Sequence, residues 1–288
     1  MPRLDLTTAK RIKVASGEVS RLKGVGFEWV KPVSDLRTQV IAALFGASEQ
    51  GAMYDPSDLS TLFQDASGTT PVTADSQPVG RMLDVSGNGN HITQANAARK
   101  PLYRTNGALH WLEFDGIEDG LQTPSALSLA GSGRMSMTVG LRRTGSANAV
   151  VAELGPNSFA NSGTFAIFSP LGTNFYVFRS RGSTAAASLT IADTVYTAPV
   201  NHVAVMQAVT AASNVTARVN QTETTNTDAQ GGGGYSSTQA LNIGTRDGGT
   251  SLPYGGRIFS FVLRGGALSA EQLALVEQYT ASQSGVTL

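Results

Sequence analysis

Residues 82–121 read MLDVSGNGNHITQANAARKPLYRTNGALHWLEFDGIEDGL and carry the clearest information about the fold of the chain. It contains two clusters typical of turns, DVSGNGNH at residues 84–91 and DGIEDG at residues 115–120. Their glycines adopt positive φ angles at little steric cost, and their Asn and Asp side chains can hydrogen-bond to nearby backbone. The clusters therefore predict two turns, with a short strand between them over residues 108–114.

The predicted strand alternates in polarity. Leu112 and Phe114 point to one side, whereas Trp111, Glu113 and Asp115 point to the other, as the two-residue period of a strand requires. We expect the first side to be buried and the second to be open to solvent.

Two parts of the chain resemble one family. The pattern LDxSGNGNH, followed by a proline and then by L-x-FDG-x-x-D, resembles the start of the laminin-G-like, concanavalin A-type domains. The run RIFSFVL at residues 257–263 and the following GGALSAEQL at residues 265–273 resemble the last strand and short helix of these domains. The resemblance implies an all-β, concanavalin A-like jelly-roll sandwich over residues 81–288, with short helices.

Strand-like runs recur through the rest of the chain, separated by turn residues, which favours a sandwich over an α/β fold. They cover residues 135–142, 149–154, 164–168, 175–179, 188–191, 201–207, 215–219, 240–244 and 257–263. Residues 201–220 resemble the family's central strand pair, with Gln221 in place of the usual turn glycine. The spacing of apolar residues predicts one clear helix over residues 269–282, with Ser269 as its N-cap.

The composition excludes several classes of partner. The 288 residues include 21 Lys and Arg against 21 Asp and Glu, so no basic field attracts nucleic acid or anionic lipid. The chain contains no cysteine, which rules out disulfides and thiolate metal sites. No apolar run has the length of a membrane span or the pattern of a signal peptide, so we expect synthesis in a host cytoplasm and no membrane insertion.

The N-terminal residues 1–32 form a separate β segment by pattern. Residues 11–14 and 18–23 alternate, and GVGFEWVKP at residues 24–32 ends in an aromatic and a proline, which predicts a small hairpin or meander. Similar openings occur in bacteriophage fibre and virion surface proteins, where they dock onto the particle or form a trimer. An ordinary edge of the sandwich is the alternative.

Residues 33–80 are predicted to form a short helix that ends near Gly46 and then an ordered linker. The linker sequence YDPSDLSTLFQDASGTTPVTADSQPVG, residues 54–80, resembles a segment that precedes laminin-G-like domains in phage-encoded virion proteins. This resemblance implies a place on the surface of a virion.

Carbohydrate binding would use exposed aromatic rings beside planar polar groups, because rings stack on the apolar faces of sugars. The candidates are Trp111, Tyr103, Tyr235, Tyr254 and Arg246 with Asp247. The alternative is that Trp111 covers a sheet face.

A calcium ion is the one cofactor that the resemblance suggests, held by oxygen ligands at the rim of the sandwich. Asp84, Asp115 and Asp119 are the candidate ligands by position. Asp residues in turns also bond to backbone without any metal.

The acidic run Glu113-Phe-Asp115-Gly-Ile-Glu118 raises a hydrolase alternative. It resembles the Glu-x-Asp-x-x-Glu run of laminarinase-type glycoside hydrolases, in which two glutamates flank the scissile bond. Because residues 116–120 read as a turn, Glu118 would leave the face that Glu113 and Asp115 share. We therefore expect no enzymatic activity.

Together these features predict a structural component of a bacteriophage or phage-like particle. The preferred interpretation is a tail fibre or spike that attaches to host surface glycans and assembles as a homotrimer through residues 1–32. A head decoration protein that stabilises the capsid is the alternative, and a glycan hydrolase is the second alternative.

Overall fold

The computed structural model describes residues 21–24, 27–30, 35–127, 129, 133–155, 157–171, 176–184, 188–191, 196–235, 240–246, 249 and 251–288. The chain divides into two compact units, residues 1–35 and 36–288. In the first unit, β1 (Arg21–Gly24) pairs antiparallel with β2 (Phe27–Val30), which is the predicted hairpin. The strand predicted at residues 11–14 lies outside the described residues.

The second unit is a sandwich of two antiparallel sheets, with eight and nine strands among the described residues. The eight-stranded sheet has the order β17-β16-β15-β10-β19-β8-β7, with β3 paired to β19 beside β8. The nine-stranded sheet has the order β14-β13-β12-β11-β18-β9-β6-β5-β4. The predicted all-β jelly-roll class is confirmed.

The strands of the second unit have the following bounds: β3 (Gly51–Tyr54), β4 (Leu62–Phe63), β5 (Arg81–Met82), β6 (Ile92–Thr93), β7 (Leu102–Thr105), β8 (His110–Asp115), β9 (Leu121–Gln122), β10 (Arg134–Arg143), β11 (Val150–Leu154), β12 (Thr164–Phe168), β13 (Val177–Arg181), β14 (Ser188–Ile191), β15 (Asn201–Val209), β16 (Asn214–Val219), β17 (Thr222–Asn226), β18 (Leu241–Ile243) and β19 (Gly255–Arg264).

The main core lies between the two sheets and is built from alternate residues of each strand. Leu112 and Phe114 of β8 and Phe165 and Ile167 of β12 are buried in it. This confirms the predicted side of β8. Because successive side chains of a strand point to opposite faces, the intervening residues form the outer faces of the sandwich.

Both helices pack against the outer face of the eight-stranded sheet. Helix α1 (Leu36–Phe45) and α2 (Ala270–Ser284) share an apolar cluster with Met53 of β3 and Val262 of β19. The hydroxyl of Ser269 accepts from the backbone N–H of Gln272, and the Gln272 side chain accepts from the Ser269 N–H, which closes a capping box. In the described part of the chain, no helix is long and apolar enough to cross a bilayer.

The predicted linker is part of the sandwich. Residues 51–54 pair with β19, residues 62–63 pair with β5, and the side chains of Leu62, Val72 and Val79 enter the main core. The boundary predicted near residue 80 is therefore wrong. Strands of two residues cannot show a period, and the isolated apolar residues of this stretch each fill a separate place in the core.

Candidate functional site

The outer face of the nine-stranded sheet is the side of the sandwich that the helices leave uncovered. Met82 of β5 and Ile92 of β6 point into the core. Arg81, His91 and Thr93 therefore face outward by strand alternation. Arg81 and Thr93 are paired residues of neighbouring strands, so their side chains stand next to each other.

A polar cleft opens at this end of the sheet, which we call the Arg81 cleft. It encloses about 280 Å³. The residues that supply its polar groups are Arg81, Asn90, His91, Thr93, Thr123 and Ser125. The first four come from β5, β6 and the loop between them, and the last two follow β9.

Asp84 holds the loop that forms one wall of the cleft. Its Oδ1 accepts hydrogen bonds from the backbone N–H groups of Met53 and Ser86, both at 2.9 Å. Its Oδ2 accepts from Ser86 Oγ at 2.8 Å and from Asn90 N at 2.9 Å. The buried carboxylate of Asp84 thus accepts four hydrogen bonds. Because one of them comes from Met53 of β3, they fix the loop to that strand.

Glycines allow the loop to turn between these contacts. Gly87 and Gly89 have φ angles of 92° and 74°, which side chains of L residues rarely adopt. The side-chain amide of Asn90 donates to Gly51 O at 2.7 Å, and Tyr54 Oη donates to Asn90 O at 2.5 Å. These bonds give the turn predicted at residues 84–91 one defined conformation.

His91 presents a hydrogen-bond donor at the cleft. Its Nδ1 accepts from the backbone N–H of Asp84 at 3.0 Å, so the neutral ring carries its proton on Nε2. Burial and the nearby positive charge of Arg81 lower the pKa of His91. The ring is therefore a neutral donor at pH 7.

Arg81 supplies the positive charge of the cleft. Its Nη1 donates to Ser67 O at 3.1 Å, which anchors the guanidinium to the loop before β5. A guanidinium has five N–H donors, and the remaining ones suit hydroxyl or carboxylate oxygens. The hydroxyl groups of Thr93 and Thr123 donate to backbone carbonyls of the chain. Arg81 and His91 are therefore the groups that suit a ligand rich in hydrogen-bond acceptors.

No protein-family model matches the chain, and no curated protein matches it. Among solved structures, the chain is similar to the binding domain of botulinum neurotoxin serotype D, with a TM-score of 0.56 and 10% identity over 83% of this chain and 52% of that one. The same domain in complex with N-acetylneuraminic acid gives a TM-score of 0.51 and 8% identity, with coverage of 83% and 52%. The chain thus spans about half the length of these neurotoxin domains.

A second kind of similar structure is matched over nearly its full length. Domain 4 of AbnA, a GH43 extracellular arabinanase from Geobacillus stearothermophilus, in complex with arabinotriose, gives a TM-score of 0.52 and 14% identity over 79% of this chain and 99% of that one. These similarities establish the fold. It is an all-β, concanavalin A-like jelly-roll sandwich.

The aromatic residues predicted to stack on sugars are buried in this sandwich. Tyr103, Tyr235 and Tyr254 lie in the main core, and Trp111 is only 6% exposed. Trp111 packs on Phe259 with ring centroids 5.8 Å apart. None of the four rings offers a free face, so the prediction of an exposed aromatic platform on them is corrected.

Side chains of β8 and β19 explain the burial of Trp111. The guanidinium of Arg257 lies 4.4 Å from the Trp111 ring centroid, and Trp111 Nε1 donates to Glu113 Oε2 at 2.5 Å. Glu113 also forms an ion pair with Arg257 at 3.0 Å. The side of β8 that we expected to be open is therefore covered at Trp111.

Arg246, the remaining predicted sugar ligand, is also buried. Its guanidinium forms two hydrogen bonds with the buried carboxylate of Glu153. Asp247, named with it, lies outside the described residues.

The three predicted calcium ligands serve as hydrogen-bond acceptors in turns. Asp84 is saturated as described, Asp115 Oδ1 accepts from the N–H of Ile117 at 2.8 Å, and Asp119 Oδ2 accepts from the N–H of Asp115 at 3.0 Å. Burial, together with the charges of Asp115 and Glu118, raises the pKa of Asp119 to about 6. No group of three or more acidic or histidine side chains within the described ranges is placed to hold a metal, so the predicted three-carboxylate site is not assembled.

The acidic run of β8 does not form the arrangement that the hydrolase alternative requires. The strand ends at Asp115, and Glu118 lies in the following turn with its N–H directed at Asp115 Oδ1. The carboxylate of Glu113 is held by Trp111 and Arg257. The three acids therefore do not share one strand face.

The residues of the Arg81 cleft were missed as a site by the sequence analysis. Arg81 lies in a strand of two residues, which shows no period, and His91 ends a cluster of turn residues. The sequence contains one signal for this site. His91 directly precedes the apolar Ile92, and if Ile92 is buried, strand alternation places the His91 ring on the outer side of the sheet.

Proposed function

We propose that the chain is a non-catalytic glycan-binding module and that its ligand binds in the Arg81 cleft. The observation that carries the proposal is the cleft itself: a polar cavity lined by a guanidinium, an imidazole N–H and hydroxyl groups, on the uncovered face of a lectin-like sandwich. Saccharides present many oxygen acceptors on a compact ring, and these complement fixed donors.

The size of the cleft supports a short ligand. Binding sites for small molecules enclose roughly 300–1,000 Å³, and a volume of about 280 Å³ suits a terminal sugar or a disaccharide. Two of the similar domains were determined with sugars, arabinotriose and N-acetylneuraminic acid, which supports the same class of ligand for this chain.

The proposal extends to an attachment protein on the surface of a phage-like particle. The resemblance of residues 54–80 to segments of virion proteins supports this setting, and residues 1–32 would dock onto other virion proteins or form a homotrimer. Immunogold labelling of particles with an antibody against residues 81–288 tests it. Label at the tail supports attachment, label over the head makes the chain a decoration protein, and absence of label rejects both.

A glycan array probed with the full chain tests sugar binding. We expect selective binding that Arg81→Gln weakens about ten- to a hundredfold, because a charge-assisted hydrogen bond is lost. Arg104→Gln is the matched control, since Arg104 is an exposed arginine of β7 that pairs with Asp75. Equal losses in both variants, or no binding by the wild-type chain, would reject the proposal.

The non-catalytic part of the proposal needs its own assay. Glu113→Gln should leave unchanged any release of reducing ends from polysaccharides that the array identifies as ligands. Loss of such release in this variant would make the chain a hydrolase.

A further inference from the structure

A second cluster of functional groups lies on the same outer face, on β11, β13, the loop after β11 and the residues after β18, rather than on β5, β6 and β9. We call it the Phe159 platform, and its members are Glu153, Phe159, Arg179, Arg181 and Arg246. It is separate from the Arg81 cleft and contains none of the same residues.

Strand alternation places the two arginines of β13 side by side. Phe178 points into the main core, so Arg179 and Arg181 point outward from the sheet. The backbone N–H of Ser158 donates to Glu153 Oε1 at 2.6 Å, which holds the loop before Phe159 on β11.

Both arginines use one donor each to hold this loop. Arg179 Nε donates to Ser158 O at 2.8 Å, and Arg181 Nη1 donates to Phe159 O at 3.1 Å. The Arg179 guanidinium lies 4.4 Å from the centroid of the Phe159 ring. The Phe159 ring also packs against Phe168 with centroids 5.4 Å apart, and it nevertheless remains 43% exposed, which is high for a large apolar side chain.

The platform carries excess positive charge. It has three guanidinium groups and one carboxylate, and the Glu153 carboxylate is bound by Arg246 through two hydrogen bonds of 2.7 and 3.0 Å. Among the described residues, Arg179 and Arg181 form no ion pair. Burial and the charge of Arg181 lower the pKa of Arg179, and the nearby carboxylate of Glu153 offsets this only in part.

The hydrogen-bonding capacity of the platform is not used up internally. Arg179 makes one hydrogen bond with described residues, although a guanidinium carries five N–H donors. The buried hydroxyl of Ser158 and the Nε of Arg181 have no hydrogen-bond partner in the described part of the chain. Such groups in a native fold call for water or an ion.

We infer that the Phe159 platform is a second binding site, specific for an acidic unit of a polysaccharide. The free N–H groups of Arg179 and Arg181 receive the anionic group, since planar guanidinium groups match carboxylate and sulfate oxygens. The exposed part of Phe159 contacts the apolar side of the same sugar. Arg246 and Glu153 are positioning residues that fix the loop and the arginines.

Binding of the full chain to polygalacturonate tests this inference. Its methyl ester is the uncharged control polymer, and dextran sulfate distinguishes sulfate from carboxylate as the anion. Arg179→Gln should weaken binding to the acidic polymer about tenfold or more, whereas Arg104→Gln, which removes the same charge elsewhere, should not. Unchanged circular dichroism and melting temperature of Arg179→Gln show that the fold is intact, and Arg181→Gln provides a second variant if they change.

Several outcomes would overturn the inference. The first is that the chain binds neither acidic polymer, and the second is that it binds the methyl ester as tightly as polygalacturonate. The third is that Arg179→Gln and Arg104→Gln lose the same amount of affinity for polygalacturonate. The fourth is that the chain binds duplex DNA as tightly as the acidic polymers. Arg81→Gln separates this site from the proposed function, because it should weaken binding to array-selected glycans and leave binding to polygalacturonate unchanged.

Discussion

The fully buried carboxylate of Glu153 binds the guanidinium of Arg246 with Nε–Oε2 and Nη2–Oε1 distances of 2.7 and 3.0 Å. The two residues lie far apart in the sequence, on β11 and just after β18, which are neighbouring strands of the nine-stranded sheet. The same carboxylate accepts the N–H of Ser158. This pair therefore links the strands to the loop that carries Phe159.

Loss of one partner should strongly destabilise the fold. Glu153→Gln leaves the charge of Arg246 buried and uncompensated, which costs about 3–5 kcal/mol. Urea denaturation measures this as a lower midpoint. Glu223→Gln is the control, because the half-exposed Glu223 pairs with Arg218 at the surface and its loss should cost about 1 kcal/mol or less. Similar values for the two variants would contradict this account of the pair.

Asp84 should be required for the shape of the Arg81 cleft. Asp84→Asn replaces one acceptor oxygen by an NH₂ group and leaves two of the four donors unsatisfied, which should cost about 2–4 kcal/mol in the free energy of unfolding. It should also weaken binding of array-selected glycans. Asp75→Asn, at an exposed position on the surface, is the control. Full stability of Asp84→Asn would show that the loop is held by other contacts.

His202 should lower the stability of the fold as the pH decreases from about 6.5 to about 4, whereas Asp119, whose pKa is raised to about 6, should act in the opposite sense below pH 6. This ring is buried, and its Nδ1 lies 2.8 Å from the hydroxyl of Tyr176. Burial, together with the charge of Arg143, lowers the pKa of His202 from 6.5 to about 4. The unfolded chain therefore takes up a proton before the folded chain does, which removes up to about 3 kcal/mol of stability.

The free energy of unfolding, measured by denaturant titration at a series of pH values, tests this prediction. Between pH 6.5 and pH 4, His202→Gln should lose less stability than the unsubstituted chain, by up to about 3 kcal/mol. An unchanged slope would assign the acid sensitivity to other groups.

The turn between β16 and β17 stores strain that a glycine would relieve. Asn220 and Gln221 have φ angles of 46° and 66°, the left-handed values of a two-residue hairpin turn. Asn tolerates this region, whereas Gln does so at a cost of roughly 1 kcal/mol. Gln221→Gly should raise the melting temperature, and Gln221→Val should lower it. The opposite order would mean that the turn has another conformation in solution.

The sequence could predict the long strands because their pattern is local. Residues 164–168 and 188–191 were predicted with the bounds that the structure has, and helix α2 begins after Ser269 as predicted. The two-residue strands β4, β5, β6 and β9 could not be found, since two residues cannot show a period. These strands carry Arg81 and Thr93, so the cleft was missed with them.

The site predictions on aromatic residues were wrong for a different physical reason. Alternation along β8 placed Trp111 on the outer side, but whether that side is open depends on β19, which enters much later in the sequence. Arg257 and Phe259 of β19 cover the ring. The role of Asp84 was partly predictable, because an Asp in a turn bonds to backbone without a metal.

The outer face of the nine-stranded sheet is proposed to bind a glycan at the Arg81 cleft. A crystal structure of the full chain with an array-selected oligosaccharide would show whether it does. We predict sugar oxygens within about 3 Å of the Arg81 guanidinium and of His91 Nε2. A ligand bound elsewhere on the domain, with these donors free of sugar, would contradict the claim.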